Sequence, residues 1–277
     1  MDQDLTLAFV GAGNMAGALI RGLVSTGTVA ATQIVAADPD RGRLQSLESE
    51  LGIRVTRDNE TAVNQAGVVI LATKPQMFAG VLPSVADAIR DDALVISIAA
   101  GISTSVIEAA LRPTTRVVRT MPNTPALVGR GATAVAGGAH ANDQDLALAT
   151  RLFESVGLVV RVPEAQIDAV TGVSGSGPAY VFAMIEALRD AGAREGLAPD
   201  TALLLAAHTV RGAAALLLDR EEPPELLRQK VTSPGGTTLA GLQALDKQGF
   251  RDAVHAAVRA ATRRSEELGR IEADARR

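Results

Sequence analysis

The apolar residues of the first half of the chain form short continuous runs that alternate with helical patterns. Runs rich in valine, isoleucine and leucine are typical of strands that are covered on both faces, as in a parallel sheet. The predicted strands are residues 5–10, 34–37, 54–56, 68–72, 94–98, 116–119, 132–136 and 158–162. The helical segments between them are residues 15–25, 41–51, 77–90, 103–111 and 144–155. This alternation predicts the α/β fold class, with a parallel sheet between two layers of helices.

The pattern changes near residue 163, after which only helical segments are predicted. These segments are residues 164–171, 178–195, 199–218, 225–231, 238–247 and 248–269. We therefore expect a sheet domain at residues 1–163 and an all-α domain at residues 164–277. The segment 199–218 is apolar nearly all round, which requires burial on most sides. Because a few helices offer little interior, we expect a second subunit to cover it.

The first strand runs directly into a turn, Gly11-Ala12-Gly13, and a helical pattern starts at once. A strand, a tight glycine turn and a helix let backbone N–H groups and the helix N-terminus face a pyrophosphate. An ordinary turn is the alternative, since glycines can join any strand and helix. The flanking strand and amphipathic helix favour a Rossmann-type dinucleotide-binding domain. The candidate contacts here are Val10, Gly11, Ala12, Gly13, Asn14 and Met15.

Ligands of a parallel sheet bind beyond the carboxyl ends of its strands, so the residues after each strand are candidates. After the second strand, Asp38 or Asp40 either bonds the adenosine ribose or caps the next helix. Arg41 could instead hold a 2′-phosphate. Because of Asp38 we expect NADH to be used well, with NADPH preferred only if Arg41 dominates. The further cofactor candidates are Asn59 (alternatively a helix cap), Ala72, Thr73, Lys74, Pro75, Ala99, Ala100 and Asn123.

Composition narrows the chemistry that this chain can perform. The formal net charge is −4, so no basic field attracts nucleic acid or an acidic membrane surface. The sequence has no cysteine, which excludes disulfides, thiolate catalysis and zinc–thiolate sites, and we expect no metal site. The acidic start leads straight into a strand without a secretory signal, so we expect a cytoplasmic protein.

Two further glycine-rich turns lie in the helical half of the chain. The first, residues 172–177, contains Ser174 and Ser176; packing between helices together with capping is its ordinary explanation. The second is Ser233-Pro234-Gly235-Gly236-Thr237-Thr238, directly before a predicted helix. Free N–H groups at residues 236–238, together with the hydroxyls, would form a small anion pocket at a positive helix end. A carboxylate fits this pocket better than a phosphate chain, since the lysine of a Walker motif is absent.

With these turns, the chain resembles the pyrroline-5-carboxylate reductases over nearly its whole length. The shared motifs are Gly-Ala-Gly-Asn-Met-Ala at 11–16, Lys-Pro-Gln at 74–76, Met-Pro-Asn-Thr-Pro at 121–125, and the segments 170–180 and 231–245. The last two segments are specific to this family, whereas the first motif occurs in many dehydrogenases.

The resemblance implies an enzyme that reduces 1-pyrroline-5-carboxylate to L-proline with NADPH or NADH. It also implies a helical domain interleaved with that of a second subunit, and often a ring of dimers, with no nucleic-acid or membrane partner. Thr238 corresponds to a hydroxyl near the ring nitrogen and is the implied catalytic residue. The implied substrate-binding residues are Glu164, Ser176, Ser233, Gly235, Gly236, Thr237 and Thr238.

This chemistry agrees with the scarcity of lysine and histidine. Reduction of a cyclic imine needs a hydride on carbon and a proton on a nitrogen that is already basic, so a weak hydroxyl donor or solvent suffices. Most of the acceleration then comes from positioning. The β-hydroxyacid dehydrogenases share the layout but place a lysine on the long inter-domain helix, and residues 178–195 contain none. A non-enzymatic nucleotide sensor would have no need of the turn at residues 233–238.

Overall fold

Eight short strands are formed by the first half of the chain. The structure, a computed structural model, describes residues 5–274. The strands are β1 (Leu7–Val10), β2 (Ile34–Ala37), β3 (Arg54–Thr56), β4 (Val68–Leu71), β5 (Leu94–Ser97), β6 (Arg116–Met121), β7 (Gly131–Gly137) and β8 (Gly157–Arg161). All eight predicted strands are confirmed, and only their ends are shifted.

The strands form one sheet in the order β3-β2-β1-β4-β5-β6-β7-β8. The predicted parallel sheet is confirmed for β1 to β6, whose neighbouring strands all pair parallel. It is wrong for the last two strands. β7 runs antiparallel to β6, and β8 pairs parallel with β7, so both run opposite to the first six strands. Residues 122–130 alone connect β6 to β7, whereas a parallel crossover needs about a dozen residues or more. The carboxyl ends of β1 to β6 therefore share one edge.

Helices cover the sheet and form most of the chain after β8. In the first half they are α1 (Asn14–Ser25), α2 (Arg41–Leu51), α3 (Asn59–Val63), α4 (Phe78–Ala86), α5 (Thr104–Glu108) and α6 (Asp143–Glu154). After β8 come α7 (Ile167–Val170), α8 (Gly177–Arg194), α9 (Pro199–Arg220), α10 (Pro224–Lys230), α11 (Thr237–Lys247) and α12 (Phe250–Asp274). The sequence pattern did not predict α3, because its five residues are too few to show a helical period.

The sheet is anchored by hydrophobic cores on both of its faces. Leu7 and Phe9 of β1 belong to one core, and Ala8 and Val10 belong to the other, because successive side chains of a strand point to opposite faces. All four residues are completely buried. This double burial fixes the end of β1, and with it the position of the glycine turn that follows.

The chain divides into two compact units. One consists of residues 5–176 and 259–274, and the other is Gly177–Val258. The second unit has almost no core of its own: among its residues only Ala202 and Ala206 are buried. The predicted boundary at residue 163 remains a prediction about the domains of the assembled protein.

The helix α9 leaves most of its apolar surface exposed in the single chain. Leu204 is 61% exposed and Leu218 is 74% exposed. By length and composition alone, α9 could cross a membrane, and only 11% of that apolar window is buried. An apolar surface of this extent marks an interaction site. A single chain does not cover α9. The burial that the sequence predicts for this helix therefore requires a surface from another molecule.

Candidate active site

A cavity of about 790 Å³ lies at the carboxyl edge of the sheet, where β1, β2, β4 and β5 end. Twelve predicted residues line it: Gly11, Gly13, Asn14, Met15, Asp38, Asn59, Ala72, Thr73, Lys74, Pro75, Ala99 and Ala100. The edge of a parallel sheet where the strand order reverses is the usual ligand site of this architecture. The order reverses here at β1, between β2 and β4.

The glycine turn is held in place from two sides. The Gly11 N–H donates to the Ala37 carbonyl at 2.7 Å, and the Ala12 N–H donates to Asp38 Oδ2 at 2.7 Å. Gly11 adopts φ +103°, a backbone conformation that favours glycine, and an added Cβ would lie 2.8 Å from the Ala72 oxygen. The turn is thus rigid, and its shape depends on Gly11.

The helix α1 begins at this turn without a side-chain cap. Its N-cap residue is Gly13, and it has no acidic residue in its first turn. By contrast, Asp40 caps α2 and Asp58 caps α3 through backbone N–H groups. The first N–H groups of a helix have no partner within the helix, so an uncapped start is available to an anion. These capping roles also settle two alternatives: Asp40, not Asp38, caps α2, and Asn59 is not the cap of α3.

Two polar side chains at the end of β4 face the ligand edge. Lys74 is exposed and precedes the 3₁₀ turn Pro75–Met77. The Thr73 hydroxyl oxygen is buried and makes no hydrogen bond with the described residues. A buried hydroxyl without a partner is costly. Both residues line the cavity, so this side of the cavity can bind a polar group of a ligand.

Four residues predicted as cofactor contacts do not line the cavity. Val10 is buried in the core, and Ala12 is buried with its N–H bonded to Asp38. Arg41 borders a separate hollow beside α2. Asn123 is committed within the chain, because its amide donates to the Ser174 carbonyl at 3.1 Å and accepts from the Ala132 N–H at 2.8 Å. The structure gives Asn123 a structural role, fastening the turn at residues 172–177 to the sheet.

The cavity also contains residues that the sequence reasoning missed. They are Ala37, Pro39, Arg43, Arg57, Met77, Val81 and Ile98. Arg43 lies two residues past Arg41 in α2, and Arg57 directly follows β3. Reading the residue after every strand would have found Arg57; the choice between Arg41 and Arg43 depends on the orientation of α2.

Small residues at the end of β5 have two different roles. Ala99 and Ala100 line the cavity, where their small side chains leave room for a flat ring close to the backbone. Gly101 instead accommodates α12, since an added Cβ would lie 3.1 Å from Leu268 Cβ. Gly269 approaches the same loop, where its Cβ would lie 2.6 Å from the Gly101 oxygen. The end of α12 is therefore packed directly behind this part of the site.

A buried arginine holds two carboxylates beside the ends of β5 and β6. Arg119 is 4% exposed and lies 3.5 Å from Glu164 and 3.3 Å from Asp168. Glu164 also accepts hydrogen bonds from the Thr104 N–H at 2.7 Å and its hydroxyl at 2.6 Å. The Ser265 hydroxyl donates to Asp168 at 2.7 Å. This Arg119 cluster thus fixes the predicted substrate residue Glu164; a charged residue inside the strand Arg116–Met121 was its only signal in the sequence.

The second anion turn precedes α11, in the other unit. The helix starts at Thr237 after Gly236, and no side chain caps it. Gly235 adopts φ +68°, and Ser233 and Thr238 are exposed. The prediction that the Gly236 N–H is free is wrong, because it donates to the Ser233 carbonyl at 3.1 Å within the turn. The N–H groups and hydroxyls of Thr237 and Thr238 remain at an uncapped helix start.

The turn at residues 172–177 is part of a helical run. Residues Thr171–Gly175 form a π-helical turn between α7 and α8, and the Ser176 N–H donates to the Thr171 carbonyl at 2.8 Å. Single π-helical turns occur frequently at functional sites. Ser176 is half-buried at the end of the first unit.

Comparison with known proteins covers both halves of the chain. The family described as pyrroline-5-carboxylate reductase dimerisation matches residues 164–268, and that described as NADP oxidoreductase, coenzyme F420-dependent, matches residues 6–101. A pyrroline-5-carboxylate reductase of Methanosarcina acetivorans is 45% identical over 97% of this chain and 99% of its own length.

Two solved structures are similar over nearly their whole length. A pyrroline-5-carboxylate reductase from Coxiella burnetii is 37% identical, with a TM-score of 0.90, over 96% of this chain and 99% of that one. A Plasmodium falciparum pyrroline carboxylate reductase with NADP bound is 29% identical, with a TM-score of 0.87 and the same coverage. On this likeness over the full length, the chain belongs to the pyrroline-5-carboxylate reductase family.

Proposed function

We propose that this chain reduces 1-pyrroline-5-carboxylate to L-proline with NADPH or NADH, the last step of proline biosynthesis. The observation that carries the proposal is the turn before α11, a glycine-led helix start without a side-chain cap and with two threonines. A chain that only binds a dinucleotide has no use for this second anion site. Family membership supplies the substrate class.

The cavity at the sheet edge is the proposed cofactor site. The uncapped start of α1 would receive the pyrophosphate, and Lys74 and Thr73 would bind polar groups along the β4 wall. Ala99 and Ala100 would leave room for the nicotinamide ring. The similar Plasmodium falciparum structure has NADP bound, which supports a dinucleotide as the ligand of this chain.

We further propose that the turn before α11 binds the substrate carboxylate. The N–H groups of Thr237 and Thr238 would donate to it at the positive end of α11, with Ser233, Gly235 and Gly236 shaping the turn. Glu164 and Ser176 are the remaining proposed substrate contacts.

The proposed reaction makes a modest demand on the side chains. When bound, the reduced nicotinamide supplies a hydride to the carbon of the C=N bond, and the ring nitrogen gains the proton. The Thr238 hydroxyl would donate its hydrogen bond to the lone pair of that nitrogen, which orients the ring and offers the proton that the nitrogen gains, with solvent restoring the proton of the hydroxyl. No metal is required, and the described residues contain no group of three or more histidines and carboxylates that could hold one.

The working protein is proposed to be a cytoplasmic homodimer, assembled further into a ring of dimers, with no nucleic-acid or membrane partner. The exposed apolar face of α9, inside the region matched by the dimerisation family, supports the dimer. A sheet domain at residues 1–163 and a dimerisation domain at residues 164–277 are the proposed functional division.

Leu204→Asp is expected to dissociate the subunits, because it places a charge on the exposed apolar face of α9. Light scattering in buffer without detergent would measure the change. Leu127→Asp is the matched control, since Leu127 is 53% exposed but lies outside the dimerisation region. An oligomer of unchanged mass in the Leu204 variant would reject the interface.

Gly13→Ala is expected to weaken NADPH binding about tenfold or more, ~1.4 kcal/mol, without loss of stability. Gly13 has extended backbone angles, and an added Cβ meets nothing within 4 Å in the protein. The new methyl group could therefore disturb only a bound ligand. Fluorescence titration and thermal unfolding would separate the two effects.

Gly11→Ala provides the contrast, because its methyl overlaps the Ala72 carbonyl and it lies at a positive φ. We expect Gly11→Ala to lower the free energy of unfolding by about 1–3 kcal/mol.

Full cofactor affinity in Gly13→Ala would mean that the pyrophosphate binds elsewhere.

The assay for the proposed function follows NAD(P)H oxidation on addition of pyrroline-5-carboxylate, with proline identified by chromatography. Oxidation of β-hydroxyacids with the oxidised cofactors tests the rival dehydrogenase class. Cofactor binding without turnover of either substrate would favour a nucleotide sensor.

A further inference from the structure

The loop that follows β5 lies between the cavity and the last turns of α12. Ala99 and Ala100 line the cavity, whereas Gly101, at φ +77°, lies against α12. A Cβ added to Gly101 would lie 3.3 Å from the Ser265 carbonyl oxygen, and a Cβ added to Gly269 would lie only 2.6 Å from the Gly101 oxygen. The backbone of the loop therefore meets the backbone of the helix, and no flexible side chain between them could absorb a displacement.

Both sides of this contact are tied to the same arginine. On the side of the loop, Thr104 donates to Glu164 through its N–H at 2.7 Å and its hydroxyl at 2.6 Å. On the side of the helix, the Ser265 hydroxyl donates to Asp168 Oδ1 at 2.7 Å. Arg119 contacts both carboxylates, and its Nη2 lies 3.3 Å from the same Asp168 oxygen. The Arg119 cluster thus holds the loop and α12 together.

Packing alone does not account for a serine at position 265. A buried position in a helix is ordinarily occupied by an apolar residue. Ser265 is only 3% exposed, and its hydroxyl makes a hydrogen bond that fixes direction as well as distance. The contact that this bond holds in place lies directly behind the two alanines at the cavity. Hydride transfer depends steeply on geometry, since a misplacement of about 1 Å can slow a reaction about a hundredfold.

We propose that Ser265 and Gly269 are positioning residues for hydride transfer. Neither residue lines the cavity, so both act through the loop at residues 99–102. The Ser265 hydroxyl holds α12 at a fixed distance from the loop, and the missing side chain of Gly269 lets the loop lie back far enough for the nicotinamide ring. The proposal rests on the cofactor site and the reduction proposed above.

The first test measures single turnovers by stopped-flow absorbance, with the chain in excess over NADPH and pyrroline-5-carboxylate saturating. Loss of folded protein lowers the amplitude and leaves the rate constant unchanged, so the two roles are separated. Gly269→Ala is expected to lower the rate constant about tenfold, because its methyl group displaces the Gly101 carbonyl. A still lower rate constant with deuterated cofactor would identify the step as hydride transfer.

Ser265→Ala is expected to lower the same rate constant, and Ser265→Thr, which keeps a hydroxyl, should restore it. Gly80→Ala is the matched control for Gly269→Ala. It makes the same change inside the helix α4, at an exposed position where the added Cβ meets nothing within 4 Å. Its rate constant should equal that of the wild type.

Hydrogen exchange of the cofactor-free chain provides a second readout that needs no activity. Ser265→Ala should let the amides of residues 99–104 exchange about tenfold faster, because the helix behind the loop has lost its anchor. The amides of β1, which is buried in both cores of the sheet, should keep their exchange rates.

Wild-type rate constants in both Gly269→Ala and Ser265→Ala would overturn the proposal, even if the unfolding temperatures of these variants fell. Unchanged exchange at residues 99–104 in Ser265→Ala would overturn it as well. Failure of the proposed function looks different, because the wild-type chain itself would then oxidise no NADPH with pyrroline-5-carboxylate. That result would overturn both proposals.

Discussion

Thr238→Ala is expected to lower kcat/KM for pyrroline-5-carboxylate by about tenfold to a thousandfold, as loss of a positioned hydrogen-bond donor does. Thr238 is the second residue of α11, next to an uncapped helix start, and its side chain is exposed. The hydroxyl is thus available to a ligand. Removing it should change the reaction far more than the fold.

Steady-state kinetics and thermal unfolding of the same preparations would measure the two effects. Thr238→Ser is the matched control, because it keeps a hydroxyl at the same Cβ and should recover most of the activity. The unfolding temperature should stay nearly constant in both variants, since substitution of an exposed residue usually changes stability by less than about 0.5 kcal/mol. Wild-type kinetics in Thr238→Ala would remove the residue from the mechanism.

Arg119→Met is expected to lower the free energy of unfolding by about 3–5 kcal/mol. Arg119 is almost completely buried, and it is the cation that Glu164 and Asp168 share. Its removal leaves two carboxylates near each other without a counter-ion in a poorly hydrated place. Its own Nε already has no hydrogen-bond partner among the described residues, so the arginine is held mainly by these two contacts.

Denaturant unfolding at a fixed protein concentration would measure this loss, since the stability of an oligomer depends on concentration. Arg21→Met is the control: Arg21 forms a bidentate pair with Glu50 on the surface, where ion pairs contribute little. Equal effects of the two substitutions would show that the Arg119 cluster is not a structural support of the site.

The sequence was sufficient to predict the eight strands because the buried strands consist almost entirely of apolar residues. It also located the cavity, since the ends of parallel strands share an edge whatever their side chains are. It could not place Arg41 and Arg43, because these residues lie about 200° apart around the axis of α2 and only the orientation of the helix decides which one faces the cavity. It could not show that β7 reverses, since an antiparallel strand of Gly131–Gly137 has the same composition as a parallel one.

Two residues have further roles that depend on contacts between distant segments. Asp38 stays a candidate ribose ligand at the cavity, and its bond to the Ala12 N–H shows that it also holds the glycine turn. Asn123 was a candidate cofactor contact, and its partners Ser174 and Ala132 lie on other elements. Hydrogen-bond partners far apart in the chain leave no periodic signal. The Arg119 cluster was missed for the same reason.

The central claim is that this chain transfers a hydride from the nicotinamide to the imine carbon of pyrroline-5-carboxylate. The most direct measurement uses reduced cofactor in which both hydrogens of the transferring carbon are deuterium, with mass analysis of the product. We predict L-proline with one deuterium, on the ring carbon that belonged to the C=N bond. Proline without deuterium, or no proline at all, would contradict the account.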